Sequence, residues 1–551
     1  MLTGSVILAF RLAIDLVLGY LLTGGPESFE SLATVDRIAL PLAGMTLLAV
    51  MFAWLPPDTL QFGVTHVMER LSRHQGYLPL RNAVAQFFGG VLALVCGVSG
   101  GREGPAIHLG AASASLMGQR FELPNNAIRT LVACGTAAAI AGSFNTPMAG
   151  VIFAMEVVMM EYTIGSFIPV ILSAVTATLL TYYFIGPQPA FEVPPLELAS
   201  LLEIPYIVLC GAVIGIIAAS YIQLVQLFAR LQARPFWMRA LLTGAVTAAA
   251  GYLTPEIMGV GYDTVNAAMV GDLTLITLTA VLVFKSLASA AAVGLGMPVG
   301  IIGPIFVIGA AIGGLMGILG GTLQSAASIG TDTVSAGFYV MLGMAAMMAA
   351  VLQAPLAALM AVLELTANPN VIVPAMLIIV VATMVTGVGF GQKSVFLSTL
   401  STLGLQYPPN PVRAHLQRAA VASIMNRSLV RLREVCTQAE AREALSARPR
   451  WIVVEKQPGQ PRCVLNAGDL GAYLEETAAD DEAEVALLKI PGVRRDARDI
   501  DYRATLEEAW ALLQSPDVEA LCVRRTSAPM IASVRGVITR EDIDNYRDSA
   551  L

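Results

Sequence analysis

Charge is the scarcest commodity in these 551 residues. Asp, Glu, Lys and Arg together make up 13% of the chain, against roughly 25% in an ordinary soluble protein. The deficit is uneven, because more than half of the Asp and Glu fall after about residue 412. There is no excess of basic residues either. The net charge is -7, which leaves no basic patch for nucleic acid. Cysteine is sparse and scattered: Cys96, Cys134, Cys210, Cys436, Cys463 and Cys522 stand singly, with no CxxC spacing. That excludes a disulfide frame or a cysteine metal site and leaves them as small apolar fillers in a reduced compartment. No HExxH, nucleophile elbow or phosphate-binding loop occurs, so the chain reads as a non-enzyme with no metal centre and no required cofactor. His66, His74 and His108 read as hydrogen-bonded packing residues.

Long apolar runs fill the space that charge vacates. Val6–Leu22, Ile38–Trp54, Phe167–Phe184, Ile204–Leu227, Ala240–Leu253, Leu273–Val293 and Val371–Val388 are expected membrane spans. The first is interrupted by Arg11 and Asp15 and has no small-residue cleavage site after it, so it is expected to be a membrane helix, not a signal peptide. Other apolar segments are too short to cross a hydrocarbon core of about 30 Å, notably Thr59–Leu71, Pro355–Leu365 and Val395–Leu403. Short, Gly- or Pro-interrupted segments suggest broken helices whose ends meet near the midplane.

An internal repeat supports that expectation. Residues 134–157 (CGTAAAIAGSFNTPMAGVIFAMEV) align without gaps on 342–365 (LGMAAMMAAVLQAPLAALMAVLEL), at an offset of 208. Gly135 then meets Gly343, Pro147 meets Pro355 and Glu156 meets Glu364. Just upstream, GREGPAIHLGA at 101–111 pairs with GIIGPIFVIGA at 300–310, at an offset of 199. Two matched pairs in the same order predict a duplicated domain of inverted topology.

The tail changes character at the Pro-rich hinge Tyr407–Pro411. Beyond it, amphipathic helical segments alternate with short strands at Trp451–Glu455, Arg462–Leu465, Ala520–Arg524 and Ser533–Ile538, the pattern of α/β units. Two half-repeats are visible, one with a helix at Glu440–Ala447 and one at Leu506–Gln514. Each ends in a strand–turn–helix carrying an Asp, Asp469 in the first and Asp542 in the second. The closing GVITREDI resembles the end of a CBS motif, and two copies would form a CBS pair.

GREGP at Gly101–Pro105 resembles the signature of the CLC family of chloride channels and chloride–proton antiporters. QFFGG at Gln86–Gly90, the FNTPMAGVIFAMEV stretch, GIIGP and QAPLAALMAVLELT match the same family in order, so the resemblance spans nearly all of residues 1–405. It implies an all-α polytopic membrane domain at 1–405, a linker at 406–418 and a small cytoplasmic α/β CBS-pair domain at 419–551. It also implies a homodimer in the bacterial inner membrane, in contact with lipid, with each subunit carrying its own anion pathway and with its tail in the cytoplasm. CBS pairs often bind an adenine nucleotide in their cleft, where Asp469 and Asp542 hold the corresponding positions, and in many such pairs the domain is only a dimerisation element.

The physics of anion passage agrees with the resemblance. An anion must bind and leave again, and a buried Lys or Arg would both hold it and be costly within a membrane. Helix N-termini instead offer unsatisfied N–H groups and about half a positive charge. GREGP and GIIGP fit such starts, with Gly for close approach and Pro where a missing N–H costs nothing. The expected donors are the backbone amides of Arg102, Glu103, Gly104, Ile301 and Ile302. In the family the Glu of this signature lies in the anion pathway, which makes Glu103 the expected gate. Its carboxylate can occupy the anion's place when charged and leave it when protonated.

Four departures from the family pattern bear on mechanism. Counting back from QFFGG, the serine that normally contacts the central anion is Phe62, followed by Gly63; counting on from Gly391, the partner tyrosine is Phe396. Ile302 replaces the aromatic residue of the second loop motif. The internal proton glutamate of the antiporters is replaced by Val157, beside Glu156, which is read as structural. Together these predict passage of chloride or another small anion that is channel-like or weakly coupled to protons. The rivals are an antiporter with an atypical internal proton route and transport of fluoride or nitrate. The usual Thr of fluoride-specific relatives is Pro105 here, which counts against fluoride.

Overall fold

A computed structural model describes residues 1–22, 25, 27–162, 164–186, 191, 203–327, 336–405, 411–457, 459–478, 480–526 and 532–548. The chain divides into two compact units: residues 1–119 with 129–408, and residues 120–128 with 409–551.

The first unit is helical. Among the described residues, eight helices are long and apolar enough to cross a membrane: Leu2–Leu21, Thr34–Phe52, Asn125–Phe144, Gly165–Phe184, Ile204–Ala233, Leu275–Gly294, Ile302–Thr322 and Pro369–Gly389. Six of the seven expected spans fall on these, and the seventh falls on the helix Phe236–Leu253. The spans the sequence does not reveal, Asn125–Phe144 and Ile302–Thr322, lie mostly inside the unit. There, close helix packing favours Gly and Ala over large apolar residues, and in Asn125–Phe144 the mean hydropathy falls to 1.4, although Ile302–Thr322 keeps 2.2. Shorter helices stand between them, including Gly63–Arg73, Leu80–Val95, Ala336–Leu352, Pro355–Thr366 and Val395–Thr402. The helix Pro147–Phe153 continues into a π-helical turn at Ala154–Met159.

The two repeats engage each other reciprocally. Glu364 accepts the amides of Met148 and Ala149, both at 2.8 Å. Glu156 accepts those of Leu356 and Ala357, at 3.2 and 2.7 Å. Each carboxylate therefore caps the Pro-started helix of the opposite repeat, the result expected of a two-fold axis between halves. The glycine contacts repeat as well. A Cβ at Gly110 would stand 2.4 Å from the Gly135 carbonyl oxygen, and one at Gly309 would stand 2.6 Å from that of Gly343. Both helix pairs can close only on glycine.

The second unit carries a six-stranded sheet in the order Leu429–Arg433, Trp451–Gln457, Gln460–Asn466, Arg494–Asp501, Ala520–Thr526, Ala532–Thr539. Each half consists of two parallel strands followed by an antiparallel hairpin partner. The crossover helices Gln438–Ser446 and Leu506–Leu513 each open with a Thr–Glu capping box, Thr437 with Glu440 and Thr505 with Glu508. The leading strand of each half, Leu429–Arg433 and Arg494–Asp501, goes unread in the sequence, the first because it is short and carries two Arg, the second because Arg and Asp crowd it. The stretch expected as a linker, 406–418, contains the helix Pro411–Gln417. Most of the hinge Tyr407–Pro411 lies outside the described residues. All six cysteines are free and buried. In this unit burial pushes the Cys522 thiol up to about 12, so it stays protonated and unreactive.

Candidate anion site

Two helix starts meet in the first unit. Glu103–Arg120 begins just after Gly101, and Ile302–Ala327 begins just after Gly300. The two preceding loops are tied by a reciprocal pair of bonds: Gly101 N–H to the Gly300 carbonyl at 2.7 Å, and Gly300 N–H to the Gly101 carbonyl at 2.6 Å. A Cβ at Gly104 would lie 2.6 Å from the Gly300 Cα, so this approach excludes any side chain there. The loops that bear the repeat signatures thus bring together two N-termini with their partial positive charge.

Glu103 lies fully buried between them. One carboxylate oxygen accepts the amide of Gly303, in the first turn of the second helix, at 3.2 Å. The other accepts the hydroxyl of Tyr262. The carboxylate therefore rests on a helix N-terminus, the kind of place that suits a free anion. Tyr262 is itself held in place. Its amide donates to Glu27 at 2.9 Å, its ring packs against Phe191 and Phe144, and the Arg102 guanidinium lies over it, 5.2 Å from the centroid. Lys285, fully buried, donates to the carbonyls of Ile257, Gly259 and Val260 at 2.9–3.1 Å. It thereby anchors the loop that leads into Tyr262.

Beside the helix starts lies a cavity of about 620 Å³, lined among others by Phe62, Gly63, Gly104, Ile301, Ile302 and Phe396. Six sequence-predicted positions thus share one space. A third helix start enters it, because Gly63 opens the helix Gly63–Arg73 with φ +69°, a conformation that favours glycine. The Gly63 amide donates to the Gln86 side chain at 2.9 Å, and Gln86 in turn donates to the Pro298 carbonyl at 3.0 Å. Phe62 also stacks on Phe52, with ring centroids 5.7 Å apart. The wall is thus aromatic at both positions where the family pattern has a hydroxyl. Arg102 and Glu103 are not among the residues that line this cavity.

Val157 is buried in the π-helical turn Ala154–Met159. His66 and His108 face each other with their ring nitrogens 2.8 Å apart, both buried, and His66 borders the cavity. Among the described residues, no cluster of three or more His, Cys, Asp or Glu is placed to hold a metal. In the second unit, Asp542 accepts the amide and hydroxyl of Thr539, at 2.8 and 2.7 Å, while Asp469 accepts the amide of Val493 at 3.2 Å.

Sequence reasoning missed Tyr262, Gly303, Gln86 and Lys285. Lys285 carried a signal, as the only charge in the run 273–293; a lone ionisable residue in a span marks a function or a fixed partner. Gln86 opens the QFFGG motif, whose pattern alone does not show what its side chain bonds. Tyr262 and Gly303 carry no signal of their own, since their roles arise from contacts with residue 103, well over a hundred positions away.

Comparison with known proteins points to one family. The family model described as voltage-gated chloride channel matches residues 44–387. A ClcB-like protein of Ralstonia nicotianae is 32% identical over 368 residues, 65% of this chain and 83% of that protein. The H(+)/Cl(-) exchange transporter ClcA of Cronobacter sakazakii is 29% identical over 309 residues, 54% of this chain and 65% of that protein. The crystal structure of a eukaryotic CLC transporter superposes with a TM-score of 0.59 over 98% of this chain and 95% of its own, at 19% identity, a likeness of fold.

Proposed function

Because the chain belongs to the voltage-gated chloride channel (CLC) family, we propose that it passes chloride through each subunit along the joined helix starts, with Glu103 as the gate. The protein is a multi-pass integral membrane protein of an anion-transporting family. The observation that carries the gate is the Glu103 carboxylate lying on the Gly303 amide, where it competes with an anion for the same donor. Protonation would remove that competition. The amides of Arg102, Glu103, Gly104, Ile301 and Ile302 are the further donors in this reading, with Phe62, Gly63 and Phe396 forming an apolar wall that binds the ion weakly.

Val157 supports channel-like or weakly coupled movement, since its side chain can carry no proton. The second reading is a proton-coupled exchanger with another internal route, favoured by the likeness to an H(+)/Cl(-) exchange transporter. The setting proposed is a homodimer in a bacterial inner membrane with its tail in the cytoplasm. The test is efflux from chloride-loaded liposomes with chloride and protons recorded together. Chloride flow without proton pumping is the expected result. Uphill proton movement driven by chloride would establish the exchanger, and folded protein without anion flux would overturn both readings. Glu103→Gln, which keeps the shape and removes the charge, is expected to raise chloride flux at neutral pH and flatten its pH dependence.

A further inference from the structure

We propose that Tyr262 is the latch of the gate: a positioning residue whose hydroxyl holds the charged Glu103 carboxylate over the Gly303 amide. This inference rests on the reading of Glu103 as the gate. Tyr262 is buried and reaches residue 103 from the start of the helix Tyr262–Val270, far away in sequence. Its hydroxyl and the Gly303 amide bind opposite oxygens of one carboxylate. A single amide leaves a carboxylate free to swing; a second donor on the other oxygen fixes its plane.

The tyrosine is prepared for this role before the carboxylate arrives. Its backbone is tied through its amide to Glu27, and its ring is packed between Phe191 and Phe144 with Arg102 above. The loop ahead of it is held by the three bonds from Lys285. A hydroxyl fixed in this way donates at little further cost in side-chain entropy.

The donor discriminates between the two states of the gate. A hydrogen bond to a charged acceptor is about twice as strong as one between neutral groups, so Tyr262 favours the charged, docked carboxylate over the protonated one. The other charges around the pair are Arg102 on the same helix start, Lys285 from the helix Leu275–Gly294, Glu27 from the segment before Phe29, and Arg11 with Asp15 from the first helix. Asp263 and Glu30 act on Lys285 from further out. Tyr262→Phe alters none of these and keeps the ring in its packing.

The experiment measures chloride efflux from liposomes against pH for the full chain, Tyr262→Phe, Glu103→Gln and the double variant, each shown to be folded by size exclusion. Losing the latch makes protonation of the gate easier. Tyr262→Phe should therefore raise efflux at neutral pH and move the acid-activated limb upward by about one to two pH units, the worth of a charge-assisted hydrogen bond. In the Glu103→Gln background it should change nothing. A Tyr262→Phe profile identical to the parent's, with Glu103→Gln still pH-insensitive, overturns the latch and leaves the gate standing. An equal change from Tyr262→Phe in both backgrounds also overturns the latch, because the ring would then act on the pore directly. A Glu103→Gln variant with unaltered rate and pH profile overturns the gate reading itself.

Discussion

At residue 396 the cavity wall presents an aromatic ring where the family pattern places a hydroxyl. Phe396 is 5% exposed and borders the same space as Phe62, Gly63 and Ile302. An apolar ring gives a desolvated anion nothing in return for its lost water, so the amides have to supply the binding. Phe396→Tyr adds one hydroxyl to a wall that already has the ring's shape. Chloride affinity measured calorimetrically is expected to rise about ten- to a hundredfold, the range of a hydrogen bond to a charged group. Unchanged affinity would mean that this ring packs beside the pathway without facing the ion. The pattern of the sequence located both aromatic positions, since the motif spacing carries them. It did not locate Tyr262, whose role exists only because a loop anchored by Lys285 folds back onto residue 103.

Among the elements, the crossed caps between repeats hold the unit together where its helices break. The helices starting at Pro147 and Pro355 have first-turn amides with no intrahelical partner, and in apolar surroundings each such donor is costly. Glu364 and Glu156 each satisfy two of them across the repeat boundary. Glu364→Gln keeps one acceptor oxygen and loses the charge, so it should destabilise the protein by about 1–3 kcal/mol. Glu156→Gln should do the same by symmetry. Thermal unfolding in detergent checks both, and two clearly unequal losses would argue against equivalent caps. The offset of 208 already pairs these residues in sequence. What it leaves open is the crossing, in which each glutamate serves the other repeat and not its own.

At the scale of the whole molecule, a membrane unit is joined to a tail whose sheet is built from two like halves. The three Thr-started helices of that tail, at Thr437, Thr505 and Thr539, are each closed by an acidic side chain three residues on. We propose that an adenine nucleotide, if the tail takes one as many CBS pairs do, approaches Asp542, whose carboxylate is engaged by Thr539. ATP, ADP or AMP at a hundred times its dissociation constant adds about 2.7 kcal/mol of stability. A raised unfolding temperature is therefore expected with one of them, and Asp542→Asn should abolish the rise. No shift with any of the three would make the tail a packing element alone.

Local chemistry was enough to write much of this protein into its sequence. Apolar runs long enough to span, the two glycine–proline helix starts and the repeat offsets are all patterns within a few tens of residues. They determined the membrane unit, its duplication and the two helix starts whose loops meet at Gly101 and Gly300. The buried span Asn125–Phe144 escaped because close packing replaces apolar bulk with small residues, and its mean hydropathy is only 1.4. Ile302–Thr322, at 2.2, is as apolar as the spans that were read and was passed over because its start carries the GIIGP signature. Only the tertiary structure decided which donors converge on Glu103. Hydrogen bonds depend on distance and direction, and those from Gly303 and Tyr262 exist because the two repeats dock against each other.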